Sequence, residues 1–134
     1  MADRTRAVVL ADLFFASKVR AVAQAAGADI AFARDTAQCL TLVRERHPQL
    51  LILDLEWRGA DPASLIREVR ARPESAGLQI VGFASHMNAR AIASARAAGA
   101  DRVVARSAFT QMLPALLEQG RELRGEPASD ADST

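Results

Sequence analysis

The chain has a single cysteine, Cys39, in 134 residues. No internal disulfide is possible, so the fold must rest on its core. Cys39 reads as a small buried hydrophobe, in keeping with a reducing compartment. Nowhere does an apolar run approach the roughly 20 residues that span a bilayer. The opening Met1-Ala2-Asp3-Arg4 leads into a strand and lacks the apolar segment of a signal peptide. A cytoplasmic protein is therefore expected. Charge of one sign is also missing: the formal net charge is +1, which argues against duplex DNA or an anionic membrane as a dominant electrostatic partner. Acids are interspersed with the arginines, as on solvated helix faces. No glycine-rich loop follows the first apolar stretch, where a flavin or nucleotide module would place its phosphate cradle. Asp12-Leu13-Phe14 does not match the Asp-x-His ligand motif of a cobalamin domain. Ser85 has no G-x-S-x-G elbow around it, so a serine nucleophile is not encoded.

What is present is a regular alternation. Half of the residues are hydrophobic and a quarter charged, an ordinary balance for one globular domain of this length. Short aliphatic strands at Ala7–Ala11, Ile30–Ala33, Leu50–Asp54, Gln79–Ala84 and Arg102–Ala105 alternate with helical segments. The helices are expected over Ser17–Ala26, from Asp35 or Thr36 to Pro48, from Asp61-Pro62 to Arg72-Pro73, over His86–Ala98, and from Thr110 onward. Their core-facing residues are read as Ala37, Leu40, Val43 and His47 in the second, Leu65, Ile66 and Val69 in the third, and Leu113, Leu116, Leu117 and Leu123 in the last. Pro114 is placed in or just after the first turn of that last helix. Two near-identical corners, Ala23-Gln24-Ala25-Ala26-Gly27-Ala28-Asp29 and Ala95-Arg96-Ala97-Ala98-Gly99-Ala100-Asp101, each close a helix with glycine and turn into a strand. Five such units predict an α/β fold, a doubly wound parallel sheet with helices on both faces. Residues 1–124 form the domain in this reading, and 125–134 a disordered acidic tail.

The stretch Leu50-Leu51-Ile52-Leu53-Asp54 is the most informative. Its aliphatics read as a strand buried on both faces, and it delivers a carboxylate to the sheet edge where α/β proteins gather their chemistry. A charge there is costly without a partner. Asp12 ends the first strand, Ala84-Ser85 the fourth and Arg106 the fifth.

In this order and spacing, roughly residues 6 to 120 resemble the receiver domain of two-component response regulators. The Ala98-Gly99-Ala100-Asp101 corner, the Pro73 loop and Ser107-Ala108-Phe109-Thr110 belong to the same resemblance. It implies a CheY-like, flavodoxin-like (βα)5 sheet of order 2-1-3-4-5. It further implies Asp54 as phosphoacceptor, Mg²⁺ held by Asp12, Asp54 and the backbone carbonyl of Glu56, and phosphoryl and switch positions at Ala84, Ser85, Val103 and Arg106. Several of these depart from the family pattern. The acidic pair is Ala11-Asp12, the hydroxyl position holds Ala84 with Ser85 one residue late, and the lysine is Arg106 followed by Ser107. Val103 stands where the rotating aromatic belongs, and Trp57-Arg58 replaces Met-Pro.

A guanidinium is always charged and binds carboxylates through parallel hydrogen bonds. Arg106 is therefore expected to pair with Asp54, Asp12 or Glu56 and to neutralise the cluster without a metal. The chain then reads as a non-enzymatic, atypical receiver (a pseudo-receiver) with no fused output domain. It would meet a signalling partner, a histidine kinase or an effector, or a second copy of itself, through the last two helices and the fifth strand. Exposed apolar groups at Met87, Ile92 or Phe109 would support that surface. The alternatives are a receiver still phosphorylated at Asp54 with Mg²⁺, or a small-molecule-binding α/β module. Plainer roles are a helix cap for Asp12, a helix start for His86, a helix-dipole partner for His47, and rim or core packing for Phe14, Phe15 and Trp57.

Overall fold

The computed structural model describes residues 5–57 and 61–125, with side chains through residue 118. The strands are β1 (Arg6–Leu10), β2 (Asp29–Ala33), β3 (Leu50–Asp54), β4 (Gln79–Ala84) and β5 (Arg102–Ala105). The helices are α1 (Leu13–Ala26), α2 (Thr36–Arg46), α3 (Pro62–Arg70), α4 (Ala89–Ala98) and α5 (Arg106–Gly125), with a 3-10 turn at Pro73–Ser75. All pairings are parallel, in the order β2-β1-β3-β4-β5. This is the expected doubly wound sheet. Among the described residues no helix is long and apolar enough to cross a membrane.

All five residues of β3 are buried, and the alternation of side chains across a strand divides them. Leu51 and Leu53 join Val8, Leu10 and Ile80 under α2, α3 and α4. Leu50 and Ile52 join Val9, Val81 and Phe83 under α1 and α5. Each fully buried side chain of this kind contributes about 1.5–3 kcal/mol. By the same parity Asp54 continues the face of Leu50 and Ile52, and its register partner on β4 is Phe83. Gly82 lies beside Leu53, and a Cβ there would come within 2.8 Å of Leu55 Cδ2. The bare backbone lets the chain fold back over β4 just after Asp54.

Helix ends follow the caps. Gly27 and Gly99 both take left-handed conformations, φ 72° and 119°, and close α1 and α4 as the paired corners predict. Around the second corner Arg70 donates to the carbonyls of Gly99 (3.0 Å) and Leu78 (2.9 Å) and pairs with Asp101, whose carboxylate also holds the amide of Ile80. In α3 the expected Leu65, Ile66 and Val69 are buried behind an Asp61 cap.

Several boundaries move. α1 begins at Leu13 because Asp12 accepts the Phe15 amide at 2.8 Å. α4 begins at Ala89, not His86: a turn closed by Asn88 N–H to the Ser85 carbonyl precedes it, and Asn88 is the cap. α5 begins at Arg106, not Thr110, so Pro114 falls in the third turn. Both Pro114 and Thr110 are exposed, so water reaches the carbonyl that proline leaves unpaired. In α2 the buried stripe is Cys39 and Val43, with Leu40 partly covered and Ala37 exposed. His47 lies outside the core as a left-handed cap whose carbonyl accepts from Arg6. Cys39 is fully buried, and burial pushes its thiol up to about 12, so it stays an inert packing group. Arg4, Arg58, the side chain of Leu123 and the expected tail beyond Gly125 lie outside the described residues.

Candidate functional site

Four chain segments meet at the C-terminal edge of the sheet. β3 delivers Asp54, which is 4% exposed, and the turn after it carries Glu56. The end of β4 supplies Ser85 and then Asn88. β5 runs straight into α5 at Arg106. The first turn of α1 brings Asp12 and Phe15 to the same edge.

Arg106 links two acids through one nitrogen. Its Nη2 donates to Glu56 Oε1 at 3.0 Å and to Asp54 Oδ1 at 3.5 Å. The expected pairing therefore forms, with Glu56 as the closer partner. Asp12 makes no ion pair with it; its Oδ1 is held by the Phe15 amide. Asp54 Oδ1 also accepts the Glu56 amide at 2.9 Å. The resemblance implies a role for the Glu56 backbone carbonyl, whereas in the structure its carboxylate is the hub. It accepts from Ser85 N–H at 3.2 Å, from Asn88 Nδ2 at 2.9 Å and from Arg106. The guanidinium carbon lies 5.0 Å from the centre of the Phe83 ring and 5.7 Å from that of Phe15. Phe15, Phe83 and Phe109 pack together beneath it with centroids 4.5–5.6 Å apart.

The electrostatics separate the two acids. Burial is the largest influence on Asp54 and holds its carboxyl above the usual range, despite the opposing Glu56 amide and Arg106; Asp12 and Glu56 raise it further. The Asn88 hydrogen bond, followed by those from Arg106 and Ser85, holds Glu56 below its usual range against a smaller burial effect. Glu56 therefore supports the fold above the unfolded Glu value of about 4.3, and that support is lost as pH falls through its lowered value. For Asp54 the sign is opposite: its contribution is present at low pH and lost as pH rises through the elevated value.

A prediction follows for Asp54→Asn. At pH 7 the variant should be more stable than the parent by about 1 kcal/mol, at the modest end of what replacing a buried charge yields. The gain should vanish below the ordinary Asp range of about 3.9, where Asp54 is neutral in both states. Urea denaturation at pH 7 and pH 3.5 measures it. A variant less stable at pH 7 would mean that the Arg106 pair outweighs burial.

The remaining expected positions are accounted for as follows. Ala84 is fully buried and Val103 nearly so. Ser85 turns its hydroxyl to the Met87 amide at 3.2 Å and offers the site its own N–H. His86 lies in the turn before α4. Phe15 is buried while Phe14 is 73% exposed, and Trp57 packs partly against the α2–α4 side of the core. Of the apolar groups expected on the face of the last two helices, Met87 is 78% exposed, but Phe109 is fully buried and Ile92 is packed against the core. Leu13, 87% exposed, and Phe14 add apolar surface at the start of α1 instead.

Sequence reading missed Asn88 and the aromatic floor. Asn before an Ala-rich run is a cap signal that locates Asn88. No local signal tells that Phe15, Phe83 and Phe109 meet.

A divalent cation requires several oxygens converging at about 2.0–2.1 Å for Mg²⁺. Among the described residues no three His, Cys, Asp or Glu groups are placed to hold a metal ion. Asp12 is turned to its cap, Glu56 to the β4–α4 turn, and the guanidinium already supplies a positive charge to Asp54.

No family model matches the sequence, and no curated protein does. Solved structures match well in shape. The chemotaxis response regulator CheY4 of Vibrio cholerae superposes with a TM-score of 0.76 at 14% identity, over 88% of this chain and 99% of that one. The receiver domain of NtrX from Brucella abortus gives 0.73 at 23% identity, over 87% and 98%. A response regulator receiver domain protein from Clostridium thermocellum gives 0.74 at 12%, over 90% and 96%. In the longer NtrX chain the matched part is 28% of the length. The fold is that of CheY-like receiver domains.

Proposed function

We propose that this protein works as an atypical receiver domain in two-component signalling, with a permanent ion-pair network where a receiver would accept a phosphoryl group. The observation that carries this reading is Arg106, which spans Asp54 and Glu56 at 3.5 and 3.0 Å. An aspartate attacks a phosphodonor only if it is ionised, reachable and relieved of anion–anion repulsion. Asp54 is buried, which holds its carboxyl above the usual range, and has Oδ1 engaged by an amide and a guanidinium. Arg106 takes over charge neutralisation, and Glu56 uses it to tie the β3 end to the β4–α4 turn. The output is then contact with another protein, a histidine kinase, an effector or a second copy, without chemistry of its own. The exposed Leu13, Phe14 and Met87 support such contact at the sheet edge. This role belongs in the cytoplasm.

Incubation with acetyl phosphate and Mg²⁺, followed by intact-mass measurement, is expected to show no gain of a phosphoryl group. Trp57 fluorescence is expected to stay flat through a millimolar Mg²⁺ titration. A phosphoryl adduct lost in Asp54→Asn would overturn the reading and establish a conventional receiver.

A further inference from the structure

Beside the ion-pair network lies a cavity of about 600 Å³ between α1, the β4–α4 turn and the first turn of α5. That size falls within the roughly 300–1,000 Å³ of small-molecule sites. We propose that it binds a small organic monoanion with a flat apolar body, of which an aromatic carboxylate is the simplest kind.

The walls carry both halves of that description. Phe14 and Phe15 line it. Phe14 is 73% exposed, so most of its ring is accessible to a ligand. Lys18 also lines the cavity, with its Nζ 5.0 Å from the centre of the Phe14 ring, and it makes no ion pair among the described residues. Arg106 uses only Nη2 for Asp54 and Glu56. A guanidinium has five N–H donors, so its remaining edge is open to the cavity it lines. Ser107 adds an exposed hydroxyl, whereas that of Thr110 donates to the Arg106 carbonyl at 3.2 Å. No side chain among the described residues caps the first turn of α5, so its amide donors are also open.

The charge balance selects a monoanion. Asp12 is the single acid on the wall, and its Oδ1 is already engaged. Asp54 and Glu56 stand behind the guanidinium and do not line the space. A phosphate dianion would meet these acids with twice the charge and has no flat apolar body to lay against Phe14 and Phe15. One carboxylate between Lys18 and Arg106, with its ring against Phe14, meets complementary groups on both sides.

The test is a titration of ¹⁵N-labelled full chain with 2-naphthoate and, separately, with the uncharged 2-naphthamide. Naphthoate is expected to saturate, shifting the amides of Phe14, Ser107 and Thr110. Naphthamide should bind roughly tenfold more weakly, as for loss of a charged hydrogen bond. Lys18→Ala and Phe14→Ala should each weaken naphthoate by about the same factor. Both side chains are exposed, so both variants should keep the parent melting temperature. No saturation, equal binding of the two probes, or indifference to Lys18→Ala would each overturn the proposal. Equal binding would mark the ring as an apolar contact for a protein. The result is independent of whether Asp54 accepts a phosphoryl group, so the two readings fail separately.

Discussion

Replacing Arg106 with alanine is expected to cost about 2–3 kcal/mol of folding stability at pH 7, and adding Asp54→Asn is expected to return most of it. Breaking a buried pair typically costs about 3–5 kcal/mol, because a buried charge is left without its partner. The lower figure applies here because the Arg106 side chain is 38% exposed and Glu56 29%, so water takes over part of the pairing. Asp54, at 4%, has no such relief. Glu56 keeps Asn88 and the Ser85 amide and suffers less.

The pH dependence identifies the cause. Without Arg106 the carboxyl of Asp54 loses one of the influences that lower it, and its neutral form is favoured still more. The deficit should therefore grow as pH rises and shrink toward pH 4, where protonated Asp54 needs no cation. Urea denaturation of parent, both single variants and the double variant gives the coupling directly. A deficit of equal size at every pH would assign the loss to the packing of the guanidinium on Phe83 and Phe15. Arg106→Lys should recover only part of the stability, since an ammonium is a point charge without a flat face to lay on two rings.

Phe83→Ala should be the more damaging change, at about 4 kcal/mol. The ring is fully buried, stacks on Phe109 at 4.7 Å and packs tilted against Phe15 at 4.5 Å, so it joins β4 to both α1 and α5. Its removal leaves a void under three elements that cannot all move inward together, and the rings lose their mutual contact as well. For a domain of this length the melting temperature should fall by on the order of 15 °C. Phe83→Leu should cost about 1.5 kcal/mol or less, since most of the volume remains. Calorimetry of the two variants decides it. A loss below about 2 kcal/mol for the alanine variant would mean that α1 and α5 close over the gap. The site should respond too, because Arg106 rests on this ring.

The fold was largely legible because its signals are local and repeated. Five aliphatic runs of strand length, each followed by a helical period, leave few arrangements open. Gly27 and Gly99 mark their corners through a backbone conformation that other residues adopt only under strain. The boundaries that differ from the sequence reading are helix starts. Asp12 starts α1 before Ser17, Asn88 starts α4 after His86, and α5 opens at Arg106 with no separate loop. The helix tolerates Pro114 because its orphaned carbonyl faces water.

The candidate site was legible only in its cast. Asp12, Asp54, Ser85 and Arg106 could be named from their places at strand ends, since parallel β/α units put those ends on one edge. Which of the possible pairings forms could not. That Glu56 uses its carboxylate and that Arg106 favours it over Asp54 depend on contacts between residues 29 to 52 apart in the chain.

By itself, then, the sequence determined the strands, most of the helices, the order in which charged residues reach the sheet edge, and the presence there of an arginine that never loses its charge. The tertiary structure decided which acid that arginine holds, the burial that sets Asp54 and Glu56 in opposite directions, and the cavity beside them. The division has a physical reason. Propensity and periodicity are properties of neighbouring residues, whereas pairing, desolvation and cavity shape exist only once the sheet has brought distant residues together.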